Sequence, residues 1–438
     1  MNETRNIAIV GGGFAGTTLA GALERRLPAG HRVVLLSEES YTTFNPMLAE
    51  VVGASVFPEH VVAPLRQMLD TAKGSQFIMG RVAAVDFERR IVTATTLAGT
   101  RRMAYAQLVF AFGTRANLEL VPGLAQHALP LKLVGDAMFI RNRVLQRVAR
   151  IELEADAALR RRLGHFVVVG GGFSGVEVAG ELADFLRSAL RFYPRVRREE
   201  LRVSLLQDGE RLLPELPASL GQAAAASLRT RGIDVRLGAR AARVDADGVQ
   251  LAGGEFLAAG TVICTIGTRP NALVEGLGLA LQRGRIQVSA DLSVPGAEGV
   301  WAIGDCAAIA NAALPGSLAP PTAQFAVAEA QALAHNIAAR LSGQPTRAFG
   351  HVARGTMATT GHLKGVAQLF GLRLSGLAAW LLWRAYYLSR MPTLGRKLRI
   401  WVEWTWGMFF AADITHLRFT RTGDAEFDAL LPDPRAQR

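Results

Sequence analysis

The 438-residue chain has the composition of an ordinary globular protein with a strong positive charge. Half of its residues are hydrophobic and 20% are charged, which excludes a disordered or fibrous chain. Lys plus Arg number 49 against 37 Asp plus Glu, so an anionic membrane surface and nucleic acid are the candidate partners. Only two cysteines occur, which excludes a disulfide framework. The eight histidines show no zinc-ligand spacing, and no metal is predicted.

The amino terminus reaches an apolar strand within a few residues and lacks the pattern of a signal peptide. We therefore expect a protein that is not exported. The longest apolar candidate, residues 374–387, is interrupted by Arg384 and is too short to span a bilayer. No spanning helix is predicted.

Two pairs of near-identical phrases indicate a duplicated architecture. NIAIVGGGFAG at residues 6–16 is echoed by HFVVVGGGFSG at residues 165–175, and LVFAFGTRAN at 108–117 by VICTIGTRPN at 262–271. The offsets are 159 and 154 residues. Matched phrases at nearly matched spacing predict two copies of one fold.

Each copy has the pattern of a parallel β-α-β unit. The helices are predicted at residues 17–24 and 176–187, and the returning strands at 33–36 and 203–206. Alternating segments such as 77–87 and 235–251 predict antiparallel hairpin layers. The expected class is an α/β protein with two Rossmann-like dinucleotide-binding domains, the second inserted in the first.

The predicted boundaries place the first domain at residues 1–117 and 269–348 and the second at 118–268. A charged segment, residues 141–164, predicts a helix that leads into the second copy. Residues 349–438 differ in composition and are expected to form a third, carboxy-terminal unit.

The first glycine turn has the spacing and context of a dinucleotide fingerprint. Gly11, Gly13 and Gly16 follow a strand and precede a helix, so backbone N–H groups can approach a pyrophosphate at the positive end of the helix. A carboxylate that binds a ribose hydroxyl is expected about 20 residues further on. Glu38 lies 22 residues beyond Gly16, and Ser37 occupies an equally plausible register.

The second glycine turn repeats this geometry with a different strand end. Gly170, Gly172 and Gly175 are followed by a strand that ends at Gln207 and Asp208. Gln207 stands where an NAD site normally has a carboxylate, and a neutral amide would not repel a 2′-phosphate. NADH and NADPH both remain open.

Two such sites in one chain predict a relay between a hydride donor and a flavin. The segment GVWAIGDCA at residues 299–307 predicts a strand that ends at Asp305, whose carboxylate can reach a ribityl hydroxyl. Taken alone, the triplet is also a common strand-to-turn sequence. Its position after both repeats favours the flavin in the first domain.

These motifs, with FNPML at 44–48 and PPTAQFAVAEA at 320–330, resemble the flavoprotein reductases with two dinucleotide domains. Most closely they resemble the type II NADH dehydrogenases, the single-subunit, non-pumping NADH:quinone oxidoreductases. The resemblance implies that FAD is held by Gly11, Gly13, Phe14, Ala15, Gly16, Asn45, Pro46, Gly113 and Asp305. It implies that the reduced nicotinamide nucleotide is held by Gly170, Gly172, Gly175, Glu177 and Gly267, with Glu177 beside the nicotinamide. A purely structural role for Glu177 at the start of its helix is the alternative.

The quinone side of the family pattern is only partly present. The pattern Ala-Gln-x-Ala-x-Gln keeps Gln324 but has Ala328 in place of the second Gln, and Glu329 would point about 100° away on a helix. The resemblance implies a membrane quinone that approaches near Gln324 and Pro46. Two alternatives stay open: a related reductase with a soluble acceptor such as a ferredoxin, and a flavin-binding membrane or interaction protein without turnover.

The cysteines argue against thiol chemistry. The region after the second strand, residues 40–53, contains no cysteine, whereas disulfide reductases and sulfide:quinone oxidoreductases need a reactive pair. Cys264 and Cys306 are predicted to be buried packing residues.

The carboxy-terminal segment combines aromatic and basic residues. Its tryptophans are Trp380, Trp383, Trp401, Trp404 and Trp406, and its basic residues are Arg373, Arg384, Arg390, Arg396, Lys397 and Arg399. This composition is typical of helices that lie in an anionic membrane surface, so we expect a peripheral protein on the cytoplasmic face of the cell membrane. A packed helical hairpin and a homodimer interface are alternatives. Nucleic acid is not expected, because no binding module surrounds the segment.

Overall fold

The computed structural model describes residues 5–353 and 355–417. The helices are α1 (Phe14–Leu23), α2 (Leu48–Val52), α3 (Leu124–His127), α4 (Val134–Leu153), α5 (Ala157–Leu163), α6 (Phe173–Ala189), α7 (Ala218–Thr230), α8 (Ala323–Leu341), α9 (Leu377–Arg390) and α10 (Leu394–Trp406). The strands are β1 (Arg5–Val10), β2 (His31–Ser37), β3 (Tyr41–Thr43), β4 (Val62–Pro64), β5 (Gln76–Asp86), β6 (Ile91–Thr96), β7 (Gly99–Ala104), β8 (Gln107–Phe110), β9 (Thr114–Ala116), β10 (Ala128–Pro130), β11 (His165–Val169), β12 (Arg202–Leu206), β13 (Asp234–Arg236), β14 (Ala241–Asp245), β15 (Gly248–Leu251), β16 (Phe256–Ala258), β17 (Thr261–Cys264), β18 (Thr268–Pro270), β19 (Leu281–Gln282), β20 (Arg285–Gln287), β21 (Val300–Ala302), β22 (Ala307–Ala308), β23 (Gly355–Thr359), β24 (Gly365–Leu369) and β25 (Leu372–Gly376).

The chain divides into two units, each made of three separate segments of the sequence. The first unit comprises the described parts of Met1–Phe44, Val62–Ala116 and Thr268–Arg354. The second comprises the described parts of Asn45–Val61, Asn117–Gly267 and Gly355–Arg438. The described residues from Gly355 onward therefore group with the second unit, whereas the sequence predicted a separate unit for them. The assignment of one nucleotide to each domain stays a prediction.

The first unit is built on a seven-stranded sheet in the order β21-β8-β1-β2-β5-β6-β7. Strands β21, β8, β1, β2 and β5 pair in parallel, and β5, β6 and β7 continue as antiparallel neighbours. Residues Ile7–Val10 of β1 are all buried, as expected of a central parallel strand covered on both faces. The chain order reverses at β1, which places a crevice at its carboxyl end.

The second unit repeats the central part of this arrangement. Its main sheet is all parallel in the order β10-β17-β11-β12-β13, so β17, β11 and β12 correspond to β8, β1 and β2. All five residues of β11 are buried. The predicted hairpin layer is the antiparallel sheet β14-β15-β16. These two folds confirm the predicted α/β class with two Rossmann-like domains.

The predicted helix at residues 141–164 is two helices, α4 and α5. The Asp156 side chain accepts a hydrogen bond from the Ala158 N–H and so caps a new helix. The Arg160 guanidinium bridges the break, because it donates to the Ile151 and Glu154 carbonyl oxygens and to Glu200.

The two copies of the FGTRAN-like phrase meet each other in the first unit. Strand β9 from the first copy pairs antiparallel with β18 from the second, with Arg115 opposite Arg269. The ribbon thus connects the first unit to residues 117–267 of the second unit at both ends of that segment, and the duplicated phrases mark this crossover.

The carboxy-terminal part of the second unit begins as a sheet and ends as two helices. Strands β23, β24 and β25 form an antiparallel sheet. Gly376, the last residue of β25, has φ of +72° and is followed directly by α9. Across residues 5–353 and 355–417, no helix is both long enough and apolar enough to cross a bilayer.

Candidate active site

The first glycine turn uses its three glycines for different reasons. Gly11 has φ of +119°, and a Cβ there would lie 2.3 Å from the Ala111 carbonyl oxygen. A Cβ on Gly16 would lie 1.9 Å from the Gly11 carbonyl oxygen. A Cβ on Gly13 would meet no described atom within 4 Å. Gly11 and Gly16 are therefore required by the fold itself, whereas Gly13 leaves space for a ligand.

Helix α1 begins at this turn without a side-chain cap from the described residues. Its first N–H groups point out of the helix at the positive end of the helix dipole, where an anion is stabilised. Ala15 is buried in the first turn, and the Phe14 ring packs edge-on against Phe44 with ring centroids 5.5 Å apart. The glycine turn and the start of α1 therefore fit a pyrophosphate.

The structure distinguishes the two candidates at the end of β2. A Cβ on Gly12 would lie 2.8 Å from Ser37 Oγ, so Ser37 is the residue that touches the turn. Glu38 is exposed and forms ion pairs with Arg81 at 3.2 Å and Arg115 at 2.9 Å. Burial raises the pKa of Glu38, but the hydrogen bonds and charges of the two arginines outweigh it, and the net shift is downward. Glu38 is thus an ionised carboxylate held by two arginines.

Asp305 lies in a short 3-10 turn, Gly304–Cys306, just after β21. The Thr114 hydroxyl donates to its Oδ2 at 3.4 Å. Thr114 directly follows Gly113, which has φ of +63°. Gly113 and Asp305, which are 192 residues apart in the sequence, are therefore close neighbours in the first unit.

Glu329 is a site residue that the sequence analysis missed. Its carboxylate is buried and accepts the Gly304 N–H at 2.7 Å, so α8 supports the turn that carries Asp305. Burial, aided by the charge of Asp305, raises the pKa of Glu329 to about 7.

Gln324 is half-buried in the first turn of α8, which Thr322 caps, and Ala328 packs on the core of the unit. Helical spacing predicts that Glu329 points away from Gln324. It does not predict that the Glu329 carboxylate accepts the Gly304 N–H.

The second glycine turn reproduces the first in detail. Gly170 has φ of +114°, and a Cβ on Gly175 would lie 1.7 Å from the Gly170 carbonyl oxygen. A Cβ on Gly172 would meet no described atom within 4 Å. Helix α6 begins there with no side-chain cap from the residues described. The same three roles thus recur, with Gly172 as the open position.

Gln207 occupies the position in the second copy that Ser37 has in the first. Its Oε1 accepts the Gly171 N–H at 2.9 Å, which holds the neutral amide against the turn. Asp208 is exposed, as Glu38 is in the first copy. Gly267 has φ of +69°, and its carbonyl oxygen accepts the Asn117 N–H at 3.2 Å.

Asn45 and Pro46 belong to the second unit. They form a short 3-10 helix that precedes α2, and the Asn45 amide donates to the Lys132 carbonyl oxygen at 3.4 Å. The flavin role that the resemblance implies for these two residues stays a prediction.

Three glutamates of the second unit, Glu50 on α2 and Glu177 and Glu181 on α6, are buried near one another and form what we call the acidic cluster. Glu177 Oε1 accepts the Thr359 N–H and the Trp383 Nε1–H, each at 3.2 Å. Burial raises the pKa of Glu177 to about 8, against the opposing effect of these hydrogen bonds. Its carboxyl group therefore contacts β23 and α9.

The other two members of the acidic cluster are also partnered. Glu50 Oε2 accepts the Trp404 Nε1–H at 3.1 Å, and Glu181 Oε2 accepts the Ser55 hydroxyl at 2.6 Å. Burial raises the pKa of both groups, and the charge of Glu181 raises that of Glu50 further. The cluster therefore retains protons at neutral pH.

One arginine from α9 covers the acidic cluster. The Arg384 guanidinium lies 3.7 Å from the centroid of the Trp380 ring and 4.7 Å from that of Trp404. Its charge favours ionisation of Glu50 and Glu181 but does not offset their burial. Arg384 thus binds the interior of the unit rather than a lipid headgroup.

The expectation that all five carboxy-terminal tryptophans lie in a membrane surface is wrong for three of them. Trp380, Trp383 and Trp404 are at most 4% exposed, because two indoles donate to buried glutamates and two pack against Arg384. Trp401 and Trp406 are more than half exposed.

The exposed residues of α10 nevertheless form a continuous apolar face. Leu394, Leu398, Trp401 and Val402 follow the i, i+4, i+7, i+8 spacing and are all exposed, opposite the buried Ile400 and Trp404. Beyond the helix, Met408, Phe409 and Phe410 are exposed as well. An apolar face of this kind marks an interaction surface.

Both cysteines are free and buried. Burial raises the pKa of the Cys306 thiol to about 12 and also raises that of Cys264. Each Sγ contacts a backbone carbonyl oxygen. Neither is a ready nucleophile, because the thiolate is the reactive form.

Two dinucleotide-binding folds in one chain, each with a glycine turn at a helix start that no described side chain caps, define a protein built to hold two nucleotides. The family described as pyridine nucleotide-disulphide oxidoreductase matches residues 5–330, and the chain belongs to this family. The disulphide in that name has no counterpart in the two cysteines of this chain.

Its relatives and structural neighbours match nearly the whole chain. It is 29% identical over 416 residues to the type II NADH:quinone oxidoreductase Ndh of Mycobacterium tuberculosis, covering 91% of this chain and 87% of that protein. It is 31% identical over 413 residues to the demethylphylloquinone reductase NdbB of Synechocystis, covering 92% and 96%. The structure of NDH2 from Plasmodium falciparum in complex with NADH superposes with a TM-score of 0.86 at 19% identity, covering 94% of this chain and 100% of that one. That similarity shows a shared fold.

The raised pKa of Glu177 predicts a specific dependence of stability on pH. Its folded-state pKa of about 8 exceeds the ordinary value of 4.5, so the stability of the folded protein falls as pH rises from about 4.5 through about 8. Glu177→Gln keeps the acceptor oxygen and removes this effect. We expect its Tm advantage over the parent protein to be near zero at pH 4.5 and to grow to several degrees above pH 8.

The matched control for this measurement is Glu215→Gln, at an exposed position of the same unit. Differential scanning calorimetry from pH 4.5 to 9 compares the three proteins. A Glu177→Gln difference that stays constant across this range would contradict the buried, protonated state of the carboxyl group.

Proposed function

We propose that this chain is an FAD-dependent NADH:quinone oxidoreductase that does not pump protons. The observation that carries the proposal is the pair of open positions, Gly13 and Gly172, each at the start of a helix that no described side chain caps. Relatives over more than nine tenths of the chain are named as an NADH:quinone oxidoreductase and a demethylphylloquinone reductase, and both names describe transfer to a quinone.

The first unit is the proposed FAD site. Gly11, Gly13 and Gly16 form the pyrophosphate turn, and Phe14 and Ala15 open the helix that faces it. Asp305, held by Thr114 and supported by Glu329, is the proposed partner of the ribityl chain. The neighbouring Gly113, with φ of +63°, keeps a side chain out of this region. Asn45 and Pro46 complete the set that the resemblance implies.

The second unit is the proposed site of the reduced nicotinamide nucleotide. Gly170, Gly172 and Gly175 form its turn, and Gly267 closes the equivalent loop. Gln207 reaches the turn as a neutral amide, and Asp208 is exposed one place further. NADH is the proposed donor, and the amide leaves room for NADPH.

FAD held by the first unit would supply the redox chemistry, which is acceptance of a hydride from the reduced nicotinamide and transfer of two electrons to a quinone. The residues of this chain would position the two nucleotides. Glu177, placed beside the nicotinamide by the resemblance, would hold a proton there rather than a negative charge. Gln324 is the proposed contact for the quinone.

A membrane quinone is favoured over a soluble acceptor by the exposed apolar face of α10. This face, with Arg396, Lys397 and Arg399 on the same helix, matches helices that lie in the interface of an anionic bilayer. We propose peripheral attachment at the cytoplasmic face of the cell membrane. A homodimer interface on the same face is the competing explanation.

The hydride-transfer step is tested anaerobically with the purified protein loaded with FAD. We expect NADH to bleach the visible flavin band and a soluble quinone analogue to restore it. A band that NADH leaves unchanged would mean that the chain has no turnover. Restoration by a ferredoxin but not by the quinone analogue would favour the soluble acceptor.

Gly172→Ala tests the second turn within the same assay. Because the added methyl group meets open space and φ at this position is −75°, we expect an unchanged Tm and retained flavin. The KM for NADH should rise at least tenfold, because the methyl group occupies the path of the pyrophosphate. Gly175→Ala is the contrasting variant: its methyl group would overlap the Gly170 carbonyl oxygen, so Tm should fall. Equal KM values for Gly172→Ala and the parent protein would contradict binding of the nucleotide at this turn.

Gln207→Glu tests nucleotide choice. A carboxylate at the end of β12 would repel a 2′-phosphate, so kcat/KM for NADPH should fall at least tenfold and that for NADH less than threefold. Gln222→Glu, exposed on α7, adds the same charge away from the turn. Steady-state assays with both nucleotides decide, and equal losses for both would reject this role of Gln207.

Replacement of both Trp401 and Trp406 by Ser tests membrane attachment. Co-flotation with vesicles containing anionic lipid should decrease several-fold, while anaerobic flavin reduction by NADH stays normal. Phe256→Ser, at an exposed position on β16, is the control for loss of exposed aromatic area. Unchanged flotation together with dissociation of a dimer would favour the homodimer interface instead.

A further inference from the structure

Helices α1 and α8 of the first unit pack against each other, and both contact the short turn Gly304–Cys306, which we call the Asp305 turn. The Gly304 N–H donates to the Glu329 carboxylate on α8 at 2.7 Å. Gly304 has φ of +73°, and a Cβ there would lie 3.2 Å from the Cβ of Ala15. Ala15 is buried in the first turn of α1. The Asp305 turn is therefore packed between Glu329 and the helix start proposed to face the pyrophosphate.

The other two residues of the Asp305 turn are held by residues near the end of β8. The Thr114 hydroxyl donates to Asp305 Oδ2 at 3.4 Å, and the Cys306 thiol donates to the Phe110 carbonyl oxygen at 3.5 Å. Together with the Glu329 carboxylate, these groups give each residue of the turn its own contact. A hydroxyl and a backbone carbonyl keep their charge at every ordinary pH. Of the three contacts, only the one made by Glu329 can therefore change its charge.

The charges around Glu329 set the pH at which this change occurs. Glu329 is buried, and burial raises its pKa to about 7. The charge of Asp305 acts in the same direction, whereas Arg285 on β20 favours ionisation. The Cys306 thiol is close to both carboxyl groups but stays neutral, because burial raises its pKa to about 12. Glu329 thus gains or loses its proton near neutral pH, beside the carboxylate that is proposed to bind the ribityl chain.

A bound dinucleotide would act on this proton. The pyrophosphate of FAD is anionic, and its proposed position at the start of α1 adjoins the Asp305 turn. A negative charge near a carboxyl group favours the protonated form of that group. Coupling between two bound species is reciprocal, so a proton on Glu329 favours bound FAD to the same extent. Loss of the proton at higher pH should therefore weaken the binding of FAD.

We propose that Glu329 is a positioning residue of the FAD site, which connects the Asp305 turn to α8 and links the retention of FAD to its own proton. The inference rests on the proposed function, because it takes FAD as the ligand of the first unit. Glu329 acts through Gly304 and Asp305. When Glu329 is protonated, Asp305 is the only charged member of this pair of carboxyl groups. FAD should thus be held more tightly below about pH 7 than above it.

A purely structural role is the competing explanation, because a buried carboxyl group bonded to a turn also stabilises the fold. Asn336, on the same helix, supplies the matched comparison. It is buried, and its amide donates to the carbonyl oxygens of Asp291 and Arg347 and accepts the Arg347 N–H, at 2.8–2.9 Å. Asn336 therefore holds a different loop of the first unit through hydrogen bonds of the same kind.

The dissociation constant of FAD is measured in a dilution series of the full-length protein loaded with FAD, with free FAD quantified by its fluorescence. Glu329→Gln keeps an acceptor oxygen for the Gly304 N–H, and Glu329→Leu removes it. At pH 6 we expect Glu329→Gln to bind FAD within threefold of the parent protein and Glu329→Leu at least tenfold more weakly. Asn336→Leu should lower the Tm but change the FAD dissociation constant less than threefold. Equal weakening of FAD binding by the two Leu variants would show a structural role and overturn the proposal.

The pH profile tests the link to the proton. From pH 6 to 8.5 the FAD dissociation constant of the parent protein should rise at least fivefold, and that of Glu329→Gln less than twofold, because glutamine does not ionise. This comparison does not need Glu329→Leu to fold. Identical pH profiles for the parent protein and Glu329→Gln would overturn the inference while leaving the proposed function intact. A parent protein that retains no FAD at any pH would instead contradict the proposed function.

Discussion

The close contact of a helix with the strand end before it is the constraint on which both halves of this protein depend. In each copy the first helical turn passes directly over the carbonyl oxygen of the first glycine, at Gly11 or at Gly170. Any side chain at Gly16 or Gly175 would prevent that approach. Because the helix starts so close to the strand end, the free N–H groups of its first turn point into the crevice where the strand order reverses. The ability to hold a nucleotide is therefore a consequence of how tightly helix and strand pack.

The acidic cluster holds the carboxy-terminal helices in the second unit. Glu50 and Glu177 accept hydrogen bonds from Trp404 and Trp383 on the last two helices. A buried carboxylate without a partner is strongly destabilising. These hydrogen bonds connect α9 and α10 to α2 and α6. The glutamates also retain protons, which lowers the free-energy cost of burying their carboxyl groups. The same burial that fixes the segment also creates groups that titrate near neutral pH.

The carboxy-terminal helices thus have two different faces. One face is specific and internal, with indole N–H groups donating to carboxylates and Arg384 stacked between two rings. The other is apolar and exposed along α10. The inward tryptophans fix the orientation of α10 on the second unit, and this orientation decides which of its side chains are exposed.

The sequence by itself determined the two β-α-β copies and the glycine turns, because these features depend on local spacing and on the missing Cβ. Which glycines have open space around them was decided by the tertiary structure. The sequence also identified Ser37 and Glu38 as the two candidates at the end of β2. Only the tertiary structure decided that Ser37 touches the glycine turn and that Glu38 pairs with two arginines. Glu329, the acidic cluster and the division of the tryptophans into buried and exposed sets were decided by packing. Each depends on elements that are distant in the chain, for example Glu50 and Trp404, and periodicity reports which residues share a face but not what that face meets.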